Sequence, residues 1–304
     1  MTPGAAMLGG PVRTTRAVAR RVRHRAVQVV AAVRLRRVVR AVAGMTRSSD
    51  TAVVVHLHYP EVWPEIAARL GLLPRELDVY VTVTRPAWSA RADILAVTPH
   101  ARLIRTPNLG RDVLPFIRVA AGLRRAGYSA VLKLHGKRSV HADDGAEFLD
   151  SCLSELIATT DHAAECRRLV ALGEVALIGP ESRLYPLAIH IWLNIADLRW
   201  FFRRWRPAQE SQLNSPTELS FFAGTMFWAN LAAIADCLAV PTRRFDVENA
   251  QIDGTMAHAL ERLLVVVPEV DGRTIAVCGP SGPRIVAHDD HQWPSWALHK
   301  PEWE

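Results

Sequence analysis

Thr106-Pro107-Asn108-Leu109-Gly110-Arg111-Asp112-Val113-Leu114-Pro115-Phe116 opens the stretch that decides the fold, and Ala130-Val131-Leu132-Lys133-Leu134-His135-Gly136-Lys137-Arg138-Ser139 closes it. Ahead of it, Ala101 to Thr106 reads as the end of a strand. The turn through Asn108 and Gly110 starts a helix whose residues Val113, Phe116, Ile117 and Ala120 follow i, i+3, i+4, i+7, the spacing of a face packed on a sheet. Ala130 to Leu134 is a second strand that runs into a basic cluster. In an open α/β sheet, ligands sit at the carboxyl ends of the strands, so Asn108, Arg111, Asp112, Lys133, His135 and Lys137 are expected around one crevice. An anion suits it, because the free amides of the helix after Gly110, with Arg111 beside them, make a phosphate site.

Working outward, the same alternation continues. Ala52 to His58 is a buried-type strand, Val62 to Leu72 carries a helical pattern closed by Pro74, and Leu77, Val79, Val81 and Val83 alternate as a strand does. Arg91 to Ala96 is a weak helix. Phe148, Leu149, Cys152, Leu153, Leu156 and Ile157 mark a helical face, Val175 to Ile178 a short strand, and Ile191, Trp192, Ile195, Leu198 and Phe202 a second amphipathic helix. Phe221 to Trp228 reads as one strand with Gly224 inside it, and such a glycine marks a bulge or a close approach of backbone to ligand. A helix opened by Asp253 and Gly254 follows, with Met256, Leu260, Leu263 and Leu264 buried; Asp253 is a candidate N-cap there. Repeated β then α predicts an α/β fold, a mostly parallel Rossmann-type sheet with helices on both faces.

The chain has 304 residues, 49% of them hydrophobic and 22% charged, which is ordinary globular usage. Cys152, Cys166, Cys237 and Cys278 are far apart with no CxxC pair, and no secretory signal appears. They read as packing residues in a reducing compartment. Charge divides the chain: residues 1–50 hold eleven arginines and one acid, Asp50, a net of +10, which leaves −3 for residues 51–304 of the total of +7. With valines interleaved among its arginines, this amphipathic arm suits an anionic membrane surface. Nucleic acid and a solvated tail are the alternatives, and the lack of any aromatic residue in the arm disfavours base stacking. The expected location is cytoplasmic, peripheral to the inner face of the plasma membrane.

Five blocks carry a resemblance. They are Val55-His56-Leu57-His58-Tyr59-Pro60, Asn108 to Phe116, Lys133 to Ser139, Ala223-Gly224-Thr225-Met226-Phe227-Trp228, and Gln251 to Arg262. In this order they resemble the rhamnan synthesis protein F family of bacterial surface-polysaccharide assembly, over roughly residues 51–267. Gly136 stands where that family usually has threonine, and Ala250 where glycine is common. The domain is therefore set at 51–267, with the arm (1–50) and a tail (268–304) packing on it outside the resemblance.

What the resemblance implies is work on a rhamnose-containing polysaccharide, as a glycosyltransferase taking a deoxyhexose from a nucleotide sugar such as dTDP-rhamnose to a glycan or lipid-linked acceptor. The layout also resembles nucleotide-sugar transferases of the GT-A type, in which an Asp-x-Asp motif holds a metal on the diphosphate. Lys133-Leu134-His135-Gly136-Lys137 occupies that slot here. Cationic groups stabilise the charge of a departing diphosphate themselves, so metal-independent transfer without a cofactor is expected. His56, His58, Asn108, Gly110, Arg111, Asp112, Lys133, His135 and Lys137 are then the donor side, and Gly224, Thr225 and Gln251 the acceptor or sugar side. Asp253 is the candidate base, with Glu248 as its substitute. Lys133 has an alternative as the partner of a carboxylate. Two other readings stand beside this one. The His56/His58 pair fits a metal-dependent hydrolase, and a silent glycan-binding or scaffold module would explain the basic arm together with the missing metal motif. In the tail, Thr274 to Cys278 and Arg284 to Ala287 read as short strands, and Trp293, Trp296 and Trp303 as anchors for the terminus, with stacking on a sugar or a place at a membrane interface as the alternatives.

Overall fold

The structure, a computed structural model, describes residues 11–136, 145–249, 251–279 and 281–286. Lys137, Ala250 and the tryptophans Trp293, Trp296 and Trp303 lie outside the described residues. The chain opens with α1 (Pro11–Ala43) and continues through β1 (Thr51–Leu57), α2 (Trp63–Leu70), β2 (Asp78–Val83), α3 (Arg91–Val97), β3 (Arg102–Arg105), α4 (Val113–Arg125) and β4 (Ala130–Gly136). Then come α5 (Gly145–Leu156), α6 (Thr160–Leu172), β5 (Leu177–Pro180), β6 (Leu184–Pro186), α7 (Ile195–Trp205), β7 (Ser220–Phe222) and β8 (Phe227–Asn230). The described chain closes with α8 (Ala235–Leu238), α9 (Met256–Val270), β9 (Ile275–Gly279) and β10 (Gly282–Ile285).

Eight of these strands form one sheet in the order β10-β9-β5-β8-β4-β1-β2-β3, and β6 pairs with β7 apart from it. Pairing is parallel from β4 through β1 and β2 to β3, and between β5 and β9; β8 runs antiparallel between β4 and β5. Every residue of β1 and β4 is buried, so both strands read as continuous apolar runs rather than half-exposed alternations. The period of two then sorts their side chains between two apolar cores, one on each face. Ala52, Val54 and Val131 join the core under α4 and α9, whereas Val53, Val55, Leu57, Leu132 and Leu134 join the core under α2, α5 and α6. This is the expected α/β, Rossmann-like arrangement with helices on both faces.

That same period places the polar residues. Val54 pairs with Lys133 and His56 with His135 across β1 and β4, while His56 pairs with Thr82 across β1 and β2. His56, Thr82, Lys133 and His135 therefore stand on the α4 face near the carboxyl ends of three adjacent parallel strands. The chain order reverses between β1 and β4, which makes this end a topological switch point.

Several segments differ from the sequence expectations. The single strand expected over 221–228 is two, because Gly224 and Thr225 both take positive φ (95° and 55°) and turn the chain out of β7 before β8 enters the main sheet. The amphipathic helix begins at Ile195, leaving Trp192 and Leu193 exposed on the loop before it. α6 has no counterpart in the sequence reading; its buried residues are only Ala163, Cys166 and Val170, too small and few to stand out. Thr255, not Asp253, caps α9: its side chain accepts from the His258 amide while the His258 ring accepts from the Thr255 amide. Residues 275–285, assigned to the tail, form two strands of the main sheet. The described part of the arm is folded too. From Ala31 to Val42 it buries Ala31, Leu35, Val39 and Val42, and a Cβ at Gly122 of α4 would lie 2.7 Å from the Val42 Cβ, so the glycine lets the two helices close. Among the described residues no helix is long and apolar enough to cross a membrane.

Candidate functional site

A cavity of about 500 Å³ opens at the switch-point end, between the carboxyl end of β4, the turn from β7 to β8 and the start of α9. Arg111, Asp112, His135, Gly224, Thr225 and Asp253 line it, six of the residues singled out from the sequence. His258, Glu261 and Arg262 of α9 complete its polar lining, and Tyr185, Leu193, Phe221 and Ile252 contribute apolar surface.

The floor is a buried ion pair. Lys133, 1% exposed, donates to Asp112 Oδ2 (2.5 Å), to the Thr225 carbonyl (2.6 Å) and to Thr225 Oγ1 (2.7 Å), which uses all three ammonium hydrogens. Thr225 Oγ1 in turn donates to the same carboxylate oxygen at 2.6 Å. Burial works against the Asp112 charge, but Lys133 and His135 outweigh it and hold the carboxyl well below its usual range. Burial lowers Lys133, with Asp112 opposing. Lys133, expected on the donor side, takes the other role open to it, the partner of a carboxylate. It neutralises Asp112 from beneath and does not line the cavity.

The Gly224-Thr225 turn is clamped from both sides. His135 Nε2 bonds the Gly224 carbonyl, and the Gly224 amide donates to Glu261 Oε1 of α9 at 2.6 Å. Thr225 at φ 55° is a β-branched residue in the left-handed region, a conformation that persists only where surrounding bonds impose it. Gly110 and Arg111 repeat the pattern before α4, with φ 65° and 55°. A Cβ at Gly110 would lie 2.5 Å from Phe245, so no other residue fits there. Arg111 is held by Glu248 Oε2 at 3.1 Å and by the Gln251 carbonyl. Two left-handed Gly-X turns therefore set the cavity's edges.

The opposite wall is a second ion pair. Arg262, 3% exposed, donates to Asp253 Oδ2 (3.1 Å) and to the His258 carbonyl (2.7 Å), and lies over the Phe221 ring. Asp253 Oδ1 also accepts from Asn194 Nδ2 (2.9 Å) and from the Gly254 amide (2.8 Å). Arg262 Nε is buried with no hydrogen-bond partner among the described residues. Glu261 and Arg262 were missed as site residues, although they lie inside the last matched block. Their signal is an acid-base pair in a helix whose other residues, His258 and Glu269 apart, are apolar.

Other expected site residues lie elsewhere. Asn108 is exposed and outside the lining, and Glu248 and Gln251 support Arg111 from behind rather than face the cavity. Gln251 spends its side chain on its own loop, accepting from the Asn249 amide. His56 and His58 also lie outside the lining, with Nδ1 bonded to Thr82 Oγ1 (2.9 Å) and Thr84 Oγ1 (3.0 Å) respectively. Burial takes His56 down to about 3, so its ring is neutral. Among the described residues the metal-ligand cluster of three side chains within 4.8 Å is His162, Cys166 and Cys278, which contains neither histidine of the pair.

Residues 18–272 match the family described as rhamnan synthesis protein F. The match takes in most of α1 and ends just past α9, so it begins ahead of the 51–267 span drawn from the sequence blocks. Two proteins from strains B100 and ATCC 33913 of Xanthomonas campestris pv. campestris, each named uncharacterized protein WxcX, are 36% identical over 227 residues, 71% of this chain. Those residues are 31% of each relative, so the chain spans about a third of their length. With the match spanning six of the eight strands of the main sheet, both Gly-X turns and both ion pairs of the cavity, the chain belongs to the rhamnan synthesis protein F family.

Proposed function

We propose that the cavity is the active site of a glycosyltransferase that moves a deoxyhexose, rhamnose by preference, from a nucleoside diphosphate to a growing surface polysaccharide or lipid-linked glycan. The observation that carries this reading is the composition of the cavity at the switch point: the guanidinium groups of Arg111 and Arg262, with the His135 ring, stand beside the carboxylates of Asp112, Asp253 and Glu261 and face an apolar surface. The diphosphate is met by the cations, which stabilise the charge of the leaving group as the glycosidic bond breaks. The 6-methyl of a deoxy sugar suits the apolar surface of Leu193, Phe221 and Ile252. Asp253 is the base that takes the acceptor's hydroxyl proton, held in place by Asn194 and Arg262. A GT-A layout accommodates this, with β8 reversed beside β4. Transfer in this proposal needs no metal, because Asp112 and Asp253 are each neutralised already by a protein cation.

Turnover of dTDP-rhamnose by purified protein, with a membrane extract as acceptor and EDTA present, tests it. Expected is release of dTDP with label entering lipid, reduced about 10²- to 10⁴-fold in Asp253→Asn. A metal requirement removes the metal-free step. Failure to turn over any of a panel of nucleotide sugars, together with tight glycan binding, replaces the enzyme with a binding module of polysaccharide assembly.

A further inference from the structure

α1 carries two faces. His24, Gln28, Ala31, Leu35 and Val42 follow helical spacing on the side turned to the body, where His24 lies 3.7 Å from Asp246 and Gln28 donates to the Phe245 carbonyl at 2.8 Å. On the far side Val22, Ala26, Val29 and Val33 stand at i, i+4, i+7 and i+11, a single stripe with Val30 beside it. Those valines are exposed, Val22 and Val29 at 63% and Val33 at 47%. Arg23, Arg25, Arg34, Arg36, Arg37 and Arg40 are also exposed, and the helix contains no acid.

None of those six arginines forms an ion pair among the described residues, whereas arginines elsewhere, such as Arg167, Arg168 and Arg203, each meet a carboxylate. The crowding reaches inward. Burial lowers the Arg118 guanidinium to about 10, and the nearby Arg36 charge adds to the effect. A run of positive charge without counter-charge, centred on a line of apolar side chains, fits a partner that is anionic at its surface and apolar just beneath.

We propose that the outward face of α1 docks this protein on an anionic phospholipid surface, the valine stripe entering the headgroup boundary and the arginines meeting lipid phosphates. The helix lies flat, since its other face is the wall of the domain core. Nucleic acid fits less well, because phosphate backbones ask for charge alone and α1 has no aromatic side chain to stack on bases. α1 also braces the 243–246 segment just ahead of Glu248, the partner of Arg111 at the cavity. If the cavity is the transferase site proposed above, docking brings it to the surface where a lipid-linked acceptor resides.

Vesicle co-sedimentation of the full chain tests the docking without reference to catalysis. Phosphatidylcholine vesicles containing phosphatidylglycerol are expected to bind it, phosphatidylcholine alone to bind weakly, and salt to release it. Arg36→Glu/Arg37→Glu/Arg40→Glu is expected to weaken binding on the order of a hundredfold. Val29→Asp/Val33→Asp, which leaves every arginine in place, is expected to weaken it about tenfold or more. Circular dichroism identical to wild type keeps both results interpretable, because all five side chains point away from the core. Equal binding to neutral vesicles, no binding to either, or unchanged binding in both variants overturns the proposal. So does tighter binding to duplex DNA that the valine variant retains, or a dimer in sedimentation velocity that the valine variant dissolves.

Discussion

Two aspartates face the same cavity at nearly equal exposure, Asp112 at 13% and Asp253 at 12%, each paired with a more deeply buried cation. They differ in how completely their partners are used. Lys133 has three hydrogens and three acceptors, and with Thr225 it joins β4, the loop before α4 and the turn before β8 into one knot. Arg262 reaches Asp253 across nine residues of its own chain and keeps Nε without a partner. A saturated pair has nothing to offer a ligand, and its geometry is a matter of folding. An unsaturated one at a cavity wall changes energy when a ligand arrives. Under the function proposed above, structure falls to the Lys133 side and chemistry to the Arg262 side.

The largest expected effect tests the first half. Lys133→Met leaves the Asp112 carboxylate buried without its cation, which costs about 3–5 kcal/mol in unfolding free energy. Adding Asp112→Leu removes the stranded charge, and the double variant is expected to recover most of that loss in a denaturant titration. If the single variant is destabilised by less than about 1 kcal/mol, or the double does not recover, the knot is not what holds this end of the sheet.

The next effect is read in pH. Burial is the main cause that takes His56 from 6.5 to about 3, with Lys133, His135 and His58 adding and Asp112 opposing. The unfolded chain therefore binds a proton below about pH 6.5 that the folded chain refuses until about pH 3. Stability from this group is fully present above the upper value and falls with acid at about 1.4 kcal/mol per pH unit. In His56→Asn the slope of unfolding free energy between about pH 6 and about pH 4 is expected to lose that amount. An unchanged slope places the proton uptake on another group.

How much of this was legible follows from the physics of each part. The parallel sheet was readable because β1, β2, α4 and β4 declare themselves by local periodicity; the strand order that makes the switch point came only with the structure. The polar residues after the strand ends were readable for the same reason, and Arg111, Asp112, His135, Gly224, Thr225 and Asp253 do meet at one cavity. Partnership was not. That Lys133 faces Asp112 and Thr225 instead of solvent depends on a turn 92 residues away, and no local pattern reports it. α6 escaped because Ala163, Cys166 and Val170 make a thin stripe. α1 looked like an appendage because its arginines mask Ala31, Leu35 and Val42, which seat it on α4.

A smaller effect concerns the turn that joins the two pairs. Gly224 has φ 95°, and a Cβ there would lie 2.3 Å from Phe148 Cζ. Gly224→Ala is expected to cost about 1–3 kcal/mol, and Phe148→Leu in the same chain should recover the steric share but not the backbone share. Because Glu261 holds the Gly224 amide, the variant should also weaken nucleotide binding. A variant as stable as wild type would mean that the turn is free to move, and the clamp between β4 and α9 would then carry no load.

The smallest effect on stability is expected at the rim, where Arg111 and Glu248 are both about a quarter exposed and 3.1 Å apart. Such pairs contribute about 0–1 kcal/mol, so Glu248→Gln should unfold almost as wild type does. Its effect on binding runs the other way. Glu248 competes with an incoming phosphate for the Arg111 guanidinium, and removing its charge leaves Arg111 facing neutral acceptors, the Gln251 carbonyl and the new side-chain amide oxygen. Calorimetric titration with dTDP is therefore expected to show affinity raised about two- to fivefold, by the same fraction of a kcal/mol that the exposed pair supplied. Transfer should persist, since Asp253 and not Glu248 faces the cavity. A hundredfold loss of transfer in Glu248→Gln would make Glu248 the base, and the division between a structural and a chemical aspartate would have to be redrawn around Arg111.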